Sequence, residues 1–353
     1  MLLTGFALGA VLGFVFQRGR FCVTGAFRDV WLIKSTRWLT AFLVAIAVQA
    51  VLVQLMTSFG WIAPEPDRLA IWAVASGSFV FGLGIVLAGG CATGTYYRSG
   101  EGLIGSWIAL GLYAFTSAVM KRGVGKGVTD TLKGATQEAA TIHETFHVSP
   151  WVPTTALALL VGWLAVRQAQ SAQAPIAALP PRKTGIAHVL FEKRWNPNAT
   201  ALIVGVLAAA AYPLSAATGR NAGLGITTPS ANVVSFLATG DSSFADWGVW
   251  FVLGIIPGSF IAAKGSGEFR LRAPDARTAV RAVWGGIFMG IGASIAGGCT
   301  IGNSLVQSAL FSWQGWLAFL FTFLGVGAGA KAFVQSHRRA DAVVREAAPV
   351  LAR

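Results

Sequence analysis

Long stretches of this chain carry no charge. Residues 69–97, 102–119, 148–166, 199–219, 247–263 and 282–330 contain no Asp, Glu, Lys or Arg. These runs are continuously apolar. The alternation of period two expected of a membrane β-barrel is missing from them. A helix needs about 20 apolar residues to cross a bilayer. The pattern therefore predicts an all-α polytopic membrane protein with about nine transmembrane helices. The expected spans are 1–16, 38–57, 70–87, 101–119, 150–167, 199–216, 246–262, 282–295 and 313–330.

Two of the runs have awkward lengths. Run 69–97 is too long for one span and too short for two. Run 282–330 holds two spans and a connection that never meets a charged residue. Each excess contains the same tripeptide, in "LAGGCATG" (87–94) and "IAGGCTIG" (295–302). Glycine-rich, non-helical backbone at membrane depth is tolerated only where it is buried in protein or lines a cavity. Both octamers are therefore expected to be re-entrant turns, with Cys91 approaching the centre from one side and Cys299 from the other.

Composition agrees with a membrane class. The chain is 54% hydrophobic and 12% charged, against about 25% charged in soluble domains. The net charge of +13 invites a nucleic-acid reading, but the Lys and Arg lie between the apolar runs, where the positive-inside rule accounts for them. No nucleic-acid partner is expected, and the bilayer is the main environment. The apolar run 1–16 precedes its positive charges, Arg18, Arg20, Arg28, Lys34 and Arg37. A signal peptide has the opposite order, so 1–16 reads as a retained span with the N-terminus outside. Segments 17–40, 168–198, 263–281 and the tail are basic and expected to be cytoplasmic, while 58–69 and 237–247 lean acidic and suit the outside. Segment 120–149 is basic yet falls outside, although long loops obey the rule less strictly.

The halves align. "QRGRFCVTG" (17–25) follows span one and "ATGRNAGLG" (217–225) follows span six, placing Ala222 opposite Cys22 and Arg220 opposite Arg20. The Gly-Gly-Cys follows span three in one half and span eight in the other. Four spans, one linking span and four spans put the second half into the membrane in the opposite sense, an inverted repeat with its site near the midplane. The expected division is 1–119, a first repeat; 120–198, a loop, span five and a cytoplasmic linker; 199–331, the second repeat; and 332–353, a cytoplasmic tail.

Candidate chemistry is sparse. The three cysteines, Cys22, Cys91 and Cys299, form no CxxC pair and no Cys/His cluster, so no metal or cofactor is expected. "GVGKGV" around Lys126 lacks the upstream Gly and the Ser/Thr of a P-loop. "HETFH" (143–147) matches HExxH without an apparent third ligand and reads as an exposed loop or interfacial helix. Gly5, Gly9 and Gly13 have the spacing of helix packing. A lone buried Cys is usually a small hydrophobe, but two at matching repeat positions, each after Gly-Gly, point to a pathway. The expected pathway residues are Cys22, Cys91 and Cys299 with Gly89, Gly90, Gly297 and Gly298. Arg20 and Arg220 are read either as attractors at the two mouths or as interfacial anchors.

At "QRGRFCVTGAFRD" and the paired "AGGC" segments, the chain resembles the YeeE/YedE family of bacterial sulfur-compound transporters, over roughly residues 1–331. The resemblance implies an inner-membrane permease, hourglass-like and pinched at its centre. It implies thiosulfate as the substrate of the YeeE-like members, meeting Cys299, Cys91 and Cys22 in turn, and a small cytoplasmic TusA-like sulfurtransferase as partner. YedE-like members point instead to selenium compounds. A membrane thiol relay carrying a cysteine persulfide is a further alternative. A neutral thiol suits conduction of a dianion, because passage needs favourable but weak, multi-site binding.

Overall fold

The computed structural model describes residues 2–134, 136, 140–170 and 183–335. Positions 171–182 of the expected linker and 336–353 of the expected tail lie outside the described residues. Among the described residues there is no strand, only two isolated bridges.

Among the described residues, nine helical segments are long and apolar enough to span a membrane, and they match the charge-free pattern. The first comprises α1 (Leu2–Gly19) and α2 (Val23–Ile33); the second is α3 (Arg37–Ser58); the third comprises α4 (Ile71–Leu87) and α5 (Ala92–Gly100). The fourth is α6 (Ile104–Arg122), followed by the short α7 (Lys126–Lys133) and α8 (Ile142–Thr145). Next come α9 (Trp151–Gln170), the short α10 (Gly185–Phe191) and α11 (Pro197–Ala216). The remaining elements are α12 (Thr227–Thr239), a short 3-10 turn (Ser242–Phe244), α13 (Trp247–Gly265), α14 (Ala276–Ile295), a π-helical segment (Thr300–Gln307), and α15 (Trp313–Gly329) with its π-helical extension (Ala330–Gln335).

Glycines set the helix contacts. In lipid, backbones that approach closely replace the hydrophobic effect as the source of association. A Cβ on Gly9 would lie 2.0 Å from the Phe251 carbonyl, and one on Gly13 would lie 2.2 Å from that of Ile255. The spacing at Gly5, Gly9 and Gly13 thus seats α1 on α13. Gly77 and Gly84 of α4 meet Gly292 and Gly285 of α14. Position rises on one helix as it falls on the other, so this pair is antiparallel. The turns after α4 and α14 therefore lie at opposite ends of the pair.

The contacts come in exchangeable sets. Helix α1 packs on α13 as α11 packs on α3, and α6 packs on α14 as α15 packs on α4. Exchanging spans one to four with spans six to nine maps each contact onto its partner. Helix α9 stands outside this scheme. It packs chiefly on α3, and its Leu159, Leu160 and Trp163 are exposed.

Candidate functional site

The octamers resolve residue by residue. Helix α4 ends on Ala88, Gly89 turns left-handed at φ +71°, Gly90 follows, and Cys91 caps α5. Helix α14 ends on Ala296, Gly297 takes φ +85°, Gly298 follows, and Cys299 caps the Thr300–Gln307 segment. Only glycine adopts that conformation without strain. Both cysteines are extended, as helix N-caps are, and both are 2% exposed.

Cys22 occupies the same local position. Helix α1 ends at Gly19, Arg20 turns left-handed at φ +52°, and Cys22 caps α2. Each of the three cysteines thus sits at the start of a short helix that follows a break. The N-terminal ends of such helices carry partial positive charge and unpaired N–H groups.

The thiols converge. A Cβ on Gly94 would lie 3.5 Å from Cys91 Sγ and 3.7 Å from Cys22 Sγ, so both sulfurs flank the same glycine. Cys91 Sγ accepts from the Gly94 N–H at 3.4 Å. Cys299 is surrounded by residues of its own, second half of the chain. Thr227 and the backbone of Ile301 and Gly302 lie near its thiol. Tyr113 donates to Thr227 Oγ1 at 2.9 Å, and Tyr96 Oη lies 2.9 Å from Ser230 Oγ. Gln314 and Asn303 brace the second turn. Asn303 Nδ2 donates to the Ala296 and Gly298 carbonyls at 2.9 and 3.1 Å. Gln314 Nε2 donates to Asn303 Oδ1 at 3.2 Å.

A model of the sulphur-transport family matches residues 18–328, which take in all three cysteines and both Gly-Gly turns. The chain belongs to the sulphur-transport family. The YeeE/YedE resemblance read from the motifs is thereby borne out. The chain is 52% identical over 326 residues to the thiosulfate transporter TsuA of Escherichia coli, covering 92% of this chain and 93% of that protein. It is 32% identical over 340 residues to the thiosulfate transporter TsuA of Spirochaeta thermophila, covering 92% and 97%. Its similarity to the probable transporter YedE of Escherichia coli is confined to 102 residues, at 36% identity, or 28% of this chain and 24% of that one.

In this sulphur-transport protein the two arginines of the repeat have quite different surroundings. Arg20 pairs with Glu101 at 3.0 Å and with Glu268 at 2.9 Å. Gln17 and Arg18 also reach Glu268, at 2.6 and 3.6 Å. Burial pushes the Glu101 carboxyl above its usual range, and Arg20 and Arg98 pull it back. Arg220 donates to the Gly223 carbonyl at 3.1 Å and lies 5.6 Å from the centre of the Trp247 ring. Its Nη1 is buried without a hydrogen-bond partner among the described residues.

The cation beside the cysteines is Arg98, which sequence reasoning missed. Its Nη1 donates to the Gly89 carbonyl, and its Nη2 lies 4.0 Å from Cys22 Sγ. The available signal was position. Arg98 ends the charge-free run and follows Cys91 by seven residues, two turns along the same helical face. Thr227, Tyr113 and Asn303 were missed because no local pattern ties them to a cysteine.

The "HETFH" segment has a structural explanation. Thr141 Oγ1 accepts from Glu144 N at 3.3 Å, and Glu144 Oε2 accepts from Thr141 N at 3.2 Å. This capping box starts α8 and engages the glutamate. His143 Nε2 lies 3.3 Å from the Thr141 hydroxyl. No cluster of three metal-ligating side chains occurs among the described residues.

The Arg20 network carries a prediction. Glu101 has an 8% exposed side chain. Removal of its partner leaves a poorly solvated charge, so Arg20→Ala is expected to destabilise the protein by about 1–3 kcal/mol. Adding Glu101→Gln should restore part of the loss. Thermal unfolding in detergent reads both, and equal unfolding temperatures for wild type and Arg20→Ala would refute the assignment.

Proposed function

We propose that this chain imports thiosulfate through a central constriction lined in turn by Cys299, Cys91 and Cys22. What carries the reading is the shared position of the three cysteines. Each caps a short helix after a break, so a thiol and a set of helix N–H groups face the same space. An anion there meets partial positive charge without a fixed counter-ion at every step. Weak S–H donors bind a soft dianion lightly enough to let it leave. Gly89, Gly90, Gly297 and Gly298 bring the backbone close enough to contribute.

The same reading includes an inverted repeat of 1–119 and 199–331, separated by 120–198 and followed by the tail from 332. The antiparallel packing of α4 on α14 and the exchangeable contact sets support it. It places the protein in the inner membrane with the N-terminus outside and the C-terminus in the cytoplasm. The Arg20–Glu101–Glu268 face is then cytoplasmic. The pinched, hourglass-like shape and the re-entrant turns belong to this proposal too.

Energetics ask for a sink. Moving one charge against 100 mV costs about 2.3 kcal/mol, and a dianion entering a negative cell costs roughly twice that. Consumption by a small cytoplasmic sulfurtransferase of the TusA-like kind supplies the gradient. The test is uptake of radiolabelled thiosulfate into proteoliposomes, with sulfate and selenite as competitors. Saturable uptake that unlabelled thiosulfate suppresses and sulfate does not is the expected result. Uptake no greater than in protein-free vesicles would exclude the transport reading.

A further inference from the structure

We propose that each cysteine belongs to a four-residue oxyanion subsite, Cys-Val-Thr-Gly at 22–25, Cys-Ala-Thr-Gly at 91–94 and Cys-Thr-Ile-Gly at 299–302, in which the hydroxyl of Thr24, Thr93 or Thr300 binds a sulfonate oxygen of the passing anion. The inference deepens the transport reading above and rests on it. The three tetrapeptides share one arrangement. The cysteine is the N-cap, the threonine stands in the first turn, and the glycine is the third helical residue. The helices they start are 11, 9 and 8 residues long.

The three hydroxyls are unsatisfied. Thr24, Thr93 and Thr300 are 2%, 3% and 1% exposed, and none of their Oγ1 atoms has a hydrogen-bond partner among the described residues. An unpaired hydroxyl at such depth is costly, and valine has the same shape without that cost. Other buried hydroxyls of α5 bond back along the helix. Thr95 donates to the Ala92 carbonyl at 2.6 Å and Ser99 to that of Thr95 at 2.7 Å. A first-turn residue cannot, because the carbonyl four residues earlier lies in the break. Thr24 instead lies near the Cys22 thiol. Thr93 holds the same position after Cys91, and Thr300 adjoins Cys299 in the chain. What separates these three from other unpartnered hydroxyls, such as Ser117 and Ser294, is their shared place beside a capping thiol.

The glycine leaves room. An N-cap side chain accepts from the N–H of the third helical residue, as Cys91 Sγ does from Gly94. The backbones of Gly25 and Gly302 lie near Cys22 and Cys299 in the same way. A Cβ on Gly25 or Gly302 would meet nothing within 4 Å, and one on Gly94 would meet the Cys91 and Cys22 sulfurs. Each thiol therefore has a free hydroxyl close by and no β-carbon crowding it from the third position. Thiosulfate has three hard sulfonate oxygens and one soft terminal sulfur. A hydroxyl is a stronger donor than S–H, so it takes an oxygen. The polarizable thiol is left to face the terminal sulfur. Sulfate lacks that soft end, so the pair of groups tells the two ions apart.

Isosteric substitution tests the hydroxyls. Thr24→Val, Thr93→Val and Thr300→Val should each raise the half-saturation concentration for thiosulfate uptake into proteoliposomes about tenfold, as expected for one hydrogen bond lost to a charged group. The serine variants keep the donor and should stay close to wild type. Unfolding temperatures of the valine variants should equal or exceed that of wild type, because an unpaired buried hydroxyl is removed. Gly25→Ala meets no obstruction, so it should keep the fold and still reduce uptake by filling the opening. Independently, equilibrium binding of radiolabelled thiosulfate to the purified protein in detergent should weaken in Thr93→Val. Wild type that binds through Thr93 but does not transport supports the subsite and removes only the transport reading. Valine variants with wild-type half-saturation and affinity overturn the subsite and leave the transport reading standing. A fall in unfolding temperature that accompanies the loss of uptake also overturns it, since the hydroxyls would then be structural. Wild type that neither binds nor transports overturns both.

Discussion

Cys299→Ala and Cys91→Ala should each reduce thiosulfate uptake to the level of protein-free vesicles. A loss of about a hundredfold corresponds to about 2.7 kcal/mol at the barrier. On the proposed pathway, each substitution removes a weak donor whose side chain is 2% exposed, so water does not readily replace it. The apolar methyl that remains leaves the dianion facing hydrocarbon at the point where its solvation matters most. Cys299→Ser should retain part of the flux, because a hydroxyl can cap the Thr300–Gln307 helix and still donate. Folding must be held constant, so each variant is compared by size-exclusion profile and unfolding temperature. Uptake at wild-type rates in both alanine variants would remove the cysteines from the pathway.

Gly258→Val is expected to cost the fold about 3 kcal/mol or more. A Cβ at Gly258 would lie 1.9 Å from the Ala10 carbonyl oxygen and 2.6 Å from its Cα. The obstruction is backbone, so no rotamer change relieves it, and α1 would have to leave α13. That pair carries the break at Arg20 and Cys22, so transport should fall along with folded yield. The matched control is Gly111→Ala in α6, where a Cβ meets nothing within 4 Å. Alanine favours a helix over glycine by up to about 1 kcal/mol, so this variant should be neutral or slightly more stable. Equal yields of folded Gly258→Val and wild type would show that the α1–α13 contact is not limiting.

Each of the nine expected spans has its counterpart within a few residues, because a charge at membrane depth is costly wherever it falls. The fold's main division was therefore a one-dimensional property of the chain. The glycines at 5, 9 and 13 were legible for a similar reason, since helical period alone aligns them. The partner helix was not legible. Nothing in "GFALGAVLG" specifies Phe251 and Ile255 as the backbone they meet.

The site divides in the same way. The repeated Gly-Gly-Cys pointed to two turns at depth, and the structure gives its first and last residues a task, with a left-handed glycine at 89 and 297 and an N-cap cysteine at 91 and 299. Cys22 had weaker support, since its repeat partner is Ala222, yet its sulfur and that of Cys91 flank the same residue, Gly94. The charges were the hardest part. Sequence position marks Arg20 as a candidate attractor but does not reveal that Glu101 and Glu268 engage it. It leaves Arg98 at the edge of an apolar run, although the folded chain sets it 4.0 Å from Cys22.

By itself, the sequence determined which segments enter the membrane, where the helices break and which residue types occupy the breaks, because hydration cost and backbone freedom act residue by residue. Only the tertiary structure decided which charges are paired, that Thr227 and Tyr113 stand behind Cys299, and that Gln314 reaches Asn303 to brace the Gly297 turn. Those outcomes depend on contacts between residues far apart in the chain, and the energy of such a contact exists only once packing has brought both partners together.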